Sequence, residues 1–178
     1  MKRLFGGVLL SIALTVAAQA ALKIGDRAPD FSAIATLGGN EFSYSLAEAL
    51  HKGPVVLYFF PAAFTQGCTI EAHEFAEAIP QFASLGASVI GVSKDSIATL
   101  KKFSVSECRS KFAVAADTDG KIMKAYDATL SSLLGYADRT SYVIAPDAHV
   151  IYEYSDLDPT KHVDNTLRAL REWEAKQK

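Results

Sequence analysis

Beyond the first twenty residues, the most apolar run is Val55-Val56-Leu57-Tyr58-Phe59-Phe60, between Gly53-Pro54 and Pro61. A β-branched and aromatic run of this length, with no polar position to face water, predicts a strand covered on both sides. Before it, Lys23 to Phe31 reads as an extended lead-in punctuated by Pro29, and Ala33–Thr36 and Glu41–Tyr44 flank a Gly38-Gly39-Asn40 turn as a hairpin. Ser45 is placed to cap a short helix over Leu46–Leu50. After the central strand, Ala72, Phe75, Ala76, Ile79, Phe82 and Ala83 recur at helical spacing from about Cys68 onward, with Pro80 expected to kink the helix or end it early. Ala87–Val92 reads as a second buried strand, and Asp95 or Ser96 as the cap of a helix carrying Ile97, Leu100 and Phe103. Phe112–Ala115, a turn over Asp117–Gly120 and a short helix over Lys121–Tyr126 follow. Ser141–Ile144 and Val150–Tyr154 around Pro146-Asp147 form a second hairpin, and Val163, Leu167, Leu170 and Trp173 mark one stripe of a last helix. Strand and helix alternation closing on a hairpin and a helix predicts an α/β fold, a mixed sheet flanked by helices with an N-terminal hairpin extension.

The chain has 178 residues, 49% of them hydrophobic, enough for one sizeable core and short for two domains. Lys and Arg number 18 against 20 Asp and Glu, and neither sign gathers into a block, so nucleic acid is not an expected partner. The N-terminus differs from the rest. Lys2 and Arg3 precede an apolar run from Leu4 to Ala18 that ends in Ala18-Gln19-Ala20, the layout of a secretory signal. The expectation is a cleaved signal over residues 1–20 and a single domain over 21–178, exported to a bacterial periplasm. An uncleaved anchor is the alternative, weakened by Gly6, Gly7, Ser11 and Thr15, and no stable membrane span is expected in the remaining chain. Outside the cytosol two thiols can pair, and Cys68 and Cys108 are the only cysteines.

Cys68 falls in the first turn of its helix, where unpaired N–H groups and the positive helix end favour an anion. The thiolate is the nucleophilic form of cysteine. Taken singly, its neighbours have ordinary readings: Pro61 as strand punctuation, Thr65 as a helix cap, Glu71 as an early-helix acid, Arg139 as a surface charge. Cys68 and His73 are too few for a metal site, and five helical residues turn them apart. No metal and no cofactor are expected. His51, His149 and His162 show no catalytic spacing.

In register, the same residues say more. Pro61, Thr65 and Cys68 with Glu71 three positions on resemble the active-site motif of the peroxiredoxins. Gly25-Asp26-Arg27-Ala28-Pro29-Asp30-Phe31, Gly91-Val92-Ser93-Lys94-Asp95-Ser96, Asp119-Gly120-Lys121 and Arg139-Thr140-Ser141-Tyr142 resemble further segments of that family in the same order. Gln66-Gly67-Cys68-Thr69 is closest to the bacterioferritin comigratory, or Q-type, subfamily. The resemblance implies a thioredoxin-like fold and a thiol-dependent peroxidase acting on hydrogen peroxide and organic hydroperoxides. It implies Cys68 as nucleophile, Arg139 holding thiolate and peroxide, Thr65 as a hydroxyl partner, the N–H groups of Gly67 and Cys68 as donors to the substrate, Pro61 as a shield, and Glu71 orienting Arg139. Recycling by a thioredoxin-like protein and a monomeric state are implied as well.

The second thiol is less determined. Many Q-type relatives carry the resolving cysteine five residues after the nucleophile, where this chain has His73; others place it in the helix after the next strand. Cys108, in or just beyond that helix and eleven residues after Ile97, returns at about 100° per residue to nearly the same face, the buried one. It is read as the resolving cysteine, reached by local unfolding. An inert core thiol, a structural disulfide with Cys68 and a one-cysteine enzyme stay open. So does a non-catalytic redox-sensing module of the same fold. A thiol-disulfide exchange protein is disfavoured because the chain has no CxxC.

Overall fold

A computed structural model of the protein describes residues 22–130 and 135–177. The expected signal over residues 1–20 lies outside the described residues. Within them, seven strands form one sheet: β1 (Ser32–Leu37), β2 (Asn40–Ser45), β3 (Val55–Phe59), β4 (Ser88–Ser93), β5 (Ala113–Ala116), β6 (Thr140–Ile144) and β7 (Val150–Ser155), in the order β2-β1-β5-β4-β3-β6-β7. The pairs β3–β4 and β4–β5 are parallel and the others antiparallel. The sheet is therefore mixed, as its sequence predicts.

The helices are α1 (Leu46–Leu50), α2 (Gln66–Ser84), α3 (Ile97–Ser106), α4 (Lys121–Ala125) and α5 (His162–Ala175), the last preceded by a 3-10 turn over Pro159–Lys161. Central strand β3 shows why both faces must be covered. Val56, Tyr58 and the following Phe60 point into a cluster with Phe75, Phe82, Leu100, Phe103 and Leu167, so α2, α3 and α5 cover that face. Val55, Leu57 and Phe59 alternate to the other side and meet Leu46, Leu50, Ile122 and Met123 of α1 and α4. Burial of a large apolar side chain stabilises by roughly 1.5–3 kcal/mol, and on β3 every position contributes.

Caps fall where side chains can reach orphan N–H groups. Ser45 Oγ accepts from Glu48 N at 3.3 Å, and Ser96 Oγ from Thr99 N at 3.2 Å. Between Asp95 and Ser96, the cap of α3 is Ser96. Asp117 accepts from the N–H groups of both Ile122 and Met123 and so starts α4 from a distance.

Two expectations need correction. Pro80 does not end α2, which runs on to Ser84. The proline is exposed, and Phe82 beyond it is fully buried on the stripe of Phe75, so packing of the last turn outweighs the hydrogen bond the proline removes. Cys108 is buried, but not by the helical phase counted from Ile97. Helix α3 stops at Ser106, and the thiol is carried inward by the turn that follows.

Candidate active site

The parallel strands β3 and β4 end together, with Phe59 beside Val92, and their carboxyl ends are where the chain crosses over into helices. From Phe60 the chain passes through a loop, Pro61 to Thr65, that starts α2. Asp95 holds this loop: its Oδ2 accepts from Ala63 N at 2.8 Å and from Ser93 Oγ at 2.8 Å. Thr65 is the N-cap residue, yet its hydroxyl makes no capping bond and donates instead to the Ala62 carbonyl at 3.0 Å. Thr65 is exposed, and Pro61 is partly covered at the loop's entrance. Cys68 is the third residue of α2 and is 1% exposed. The N–H groups of a helix's first turn have no acceptor within the helix, and Gly67 and Cys68 stand in that turn.

Arg139 reaches this thiol through strand register. Thr140 pairs with Phe59 in the antiparallel β3–β6 ladder, so the residue before it lies at the end of β3 where the loop begins. Arg139 is 4% exposed, and its guanidinium is held at three corners. Nε donates to the Leu157 carbonyl at 2.9 Å, Nη1 donates to Glu71 Oε2, and Nη2 points at Cys68 Sγ at 3.6 Å. Gly67 makes room for this approach, since a Cβ there would stand 2.9 Å from Arg139 Nη2. Burial opposes the charge on Arg139, but the neighbouring Glu71 and Cys68 outweigh it and carry its pKa above the ordinary value. Arg139 is therefore no surface charge, and Glu71 no simple helix-dipole acid.

Glu71 is fully buried. Burial pushes its carboxyl up, to about 8, while Arg139 pulls in the other direction. Its second oxygen, Oε1, has no hydrogen-bond partner among the described residues and lies 3.7 Å from Nδ1 of His162, which is also fully buried. His162 donates from Nε2 to the Asp156 carbonyl (2.9 Å), and its Nδ1 is paired with Ser141 Oγ (2.8 Å), an arrangement in which the neutral ring accepts the serine proton. Burial lowers its pKa. Sequence spacing left His162 out of the site, but the fold sets it behind Glu71. Ser141, two residues after Arg139, and Asp95 also escaped the sequence reading. A polar residue inside a strand otherwise buried throughout was the available signal for Ser141.

Cys108 belongs to the same apolar cluster as Cys68 and is 0% exposed; both thiols are free. Burial, and then Glu107, raise the Cys108 pKa. Tyr58 is fully buried near both thiols and Glu71, and its hydroxyl has no hydrogen-bond partner among the described residues. Its ring lies across Gly91, where a Cβ would stand 2.7 Å away. His73, five residues after Cys68, bonds Glu107 Oε2 through Nε2 at 2.9 Å. A concavity of about 660 Å³ opens at the other end of the strands beside Gly53, Ser88 and Ala113, and is lined by none of the site residues above.

Comparison with known proteins gives a consistent picture. Residues 24–153 match the model of the AhpC/TSA family. The chain is 34% identical to the chloroplastic peroxiredoxin Q of Oryza sativa subsp. japonica over 119 residues, 66% of this chain and 54% of that protein. Against the chloroplastic peroxiredoxin Q of Populus jackii it is 34% identical over 129 residues, 71% of this chain and 60% of the relative. The chain thus spans little more than half the length of these plant relatives. The crystal structure of peroxidoxin BcpB from Mycobacterium tuberculosis superposes with a TM-score of 0.78 at 31% identity, covering 85% of this chain and 97% of that one. A PrxQ variant from Xylella fastidiosa has the same fold, with a TM-score of 0.75 at 22% identity over 89% and 99% of the two chains.

Proposed function

The chain belongs to the AhpC/TSA family, the peroxiredoxins, and from that premise we propose that it is a Q-type thiol peroxidase with Cys68 as its nucleophile. The observation that carries this reading is the Arg139 guanidinium, held by Leu157 and Glu71 with its remaining corner at the Cys68 sulfur. A fixed cation beside a thiol favours the thiolate, and the same donor fork faces the oxygens of a bound peroxide.

In the first step the Cys68 thiolate attacks one peroxide oxygen. The S–O bond forms as the O–O bond breaks, and the leaving oxygen departs with a proton as water or alcohol. Negative charge grows on that oxygen, so donors already in place lower the barrier without reorganising. Arg139 and the N–H groups of Gly67 and Cys68 fill this role, Glu71 and the Leu157 carbonyl orient the guanidinium, and Pro61 and Thr65 shape the entrance. The sulfur is left as a sulfenic acid.

In the second step Cys108 attacks the Cys68 sulfur. The new S–S bond displaces the sulfenic oxygen, which leaves as water with the Cys108 thiol proton. A dithiol protein of thioredoxin type then supplies two electrons and two protons to restore both thiols. A one-cysteine cycle is the second reading, favoured by the complete burial of Cys108 and the upward pKa shift that burial brings. Substrates in either reading are hydrogen peroxide and small organic hydroperoxides. Export to a periplasm and cleavage after Ala20 are supported by the Lys2-Arg3 start, the apolar run and Ala18-Gln19-Ala20. None of the described helices is long and apolar enough to cross a membrane. The monomeric state rests on the Q-type likeness.

The purified protein is expected to consume peroxide in the presence of dithiothreitol, and Cys68→Ser to reduce consumption to background. Unchanged turnover in that variant would end the proposal. Non-reducing mass analysis after one equivalent of peroxide separates the two cycles. A Cys68–Cys108 disulfide in the wild type, with a sulfenic acid in Cys108→Ser, supports the two-cysteine cycle, whereas no disulfide in the wild type leaves the one-cysteine enzyme.

A further inference from the structure

The two residues that flank Cys108 are both tied to α2. Glu107 Oε2 takes a hydrogen bond from His73 Nε2 at 2.9 Å, and Arg109 Nη1 donates to Glu77 Oε1 at 3.0 Å. His73 and Glu77 are four residues apart, so they stack on one face of the helix. Between the two ties, the thiol is turned into the apolar cluster with Phe103 and Phe112.

The backbone that holds it there is strained. Arg109 and Ser110 have φ of 51° and 55°, so two consecutive non-glycine residues occupy the left-handed region directly after the thiol. The turn closes on itself through Cys108 N to Phe103 O at 3.0 Å and Ser110 N to Ser104 O at 2.9 Å. A strained turn of this kind persists only while surrounding contacts over-determine it.

The position matters for the second step. His73 and Glu77 lie about 7.5 and 13.5 Å beyond Cys68 along the axis of α2, at 1.5 Å per residue. A disulfide needs its Cα atoms within about 7 Å. The contacts that hold the Cys108 turn are thus anchored about one to three helical turns along α2 from Cys68, and while they hold both thiols are free, with no disulfide between them.

We propose that the His73–Glu107 and Glu77–Arg109 contacts form a two-point clamp that keeps the strained Cys108 turn docked, and that its opening sets the rate at which Cys108 reaches oxidised Cys68. This inference rests on the reading of Cys108 as resolving cysteine. The four clamp residues act as positioning residues, outside the first chemical step. The reaction they gate is the one balanced above: Cys108 sulfur bonds to Cys68 sulfur, the S–O bond breaks, and water leaves.

The test is a single turnover of the reduced full chain with excess hydrogen peroxide, quenched by rapid alkylation and followed by non-reducing mass analysis. Glu107→Ala and Glu77→Ala are each expected to speed disulfide formation about two- to fivefold, the range of one partly exposed ion pair, with a larger gain in the double variant. Sulfenic acid formation, read in the same variants carrying Cys108→Ser, should be as fast as in Cys108→Ser alone. A merely structural role is separated by alkylation of Cys108 in a Cys68→Ser background. Clamp opening gives faster labelling that depends weakly on denaturant, whereas loss of overall stability gives labelling that rises steeply with it. Equal disulfide rates in all variants, or labelling only through global unfolding, would overturn the clamp. Absence of any disulfide in the wild type would instead overturn the resolving role of Cys108, and the clamp with it.

Discussion

Cys68 and Cys108 are buried to nearly the same degree in one apolar cluster, yet their surroundings prepare them for different events. Cys68 stands at a helix start with a guanidinium corner 3.6 Å from its sulfur. Cys108 sits in a turn behind a helix end, among aromatic rings, with a carboxylate-bearing neighbour that disfavours its ionised form. Burial alone therefore does not distinguish the two thiols. The difference lies in which preorganised donors come with the burial, because an uncompensated charge in such a place is costly and a paired one is not.

The largest expected loss from disturbing the Cys68 side comes from its cation. Arg139→Lys keeps the charge but cannot bond Leu157, Glu71 and the sulfur together, and kcat/KM for peroxide should fall by about 10²–10³-fold, the usual cost of one fixed oxyanion donor. A steady-state assay with saturating reductant reads this directly, and a loss under threefold would mean that charge alone distinguishes the two thiols. Gly67→Ala is a milder disturbance. The added Cβ would crowd Arg139 Nη2, and displacing it by a few tenths of an ångström should cost about tenfold in the first oxidation step, given how steeply rates follow the placement of reacting groups. Wild-type oxidation rates in this variant would show that the close approach is incidental.

The smallest effect concerns the support behind Glu71. His162 is held neutral, its pKa lowered by burial from the ordinary 6.5. Below pH 6.5 the unfolded chain takes up a proton that the folded chain refuses, so this group's stabilising contribution is complete above 6.5 and declines as pH falls. His162→Gln should flatten that part of the stability curve between about pH 6.5 and pH 5, a difference of about 1 kcal/mol or less. Urea unfolding of both proteins across this range measures it. An identical pH slope in the two would place the acid sensitivity elsewhere.

Most of the fold was legible in local pattern. The unbroken apolar run over Val55–Phe60, the helical spacing of Ala72, Phe75, Ala76 and Phe82, and the Gly38-Gly39 turn each carry their own periodicity, and each became the expected element. The early end of α2, one of the two outcomes expected at Pro80, did not occur because burial of Phe82 outweighed a local breaker. Whether Cys108 lay in α3 or just beyond it stayed open because the end of α3 at Ser106 carries no clear stop signal. Of the site, the Pro61, Thr65, Cys68 and Glu71 spacing was visible because those residues share one loop and one helix. Arg139 was reached through resemblance and not through spacing, since it lies 71 residues from Cys68.

The sequence by itself determined the element types, the two covered faces of β3 and the position of the thiol at a helix start, all consequences of short-range periodicity and chain chemistry. Only the tertiary structure decided that Arg139 reaches that thiol, that His162 and Ser141 stand behind Glu71, and that Cys108 is fastened to α2 by its neighbours. Those placements depend on the β3–β6 register and on how α3 and α5 pack over the sheet, and such long-range pairings leave no period in the chain from which to read them.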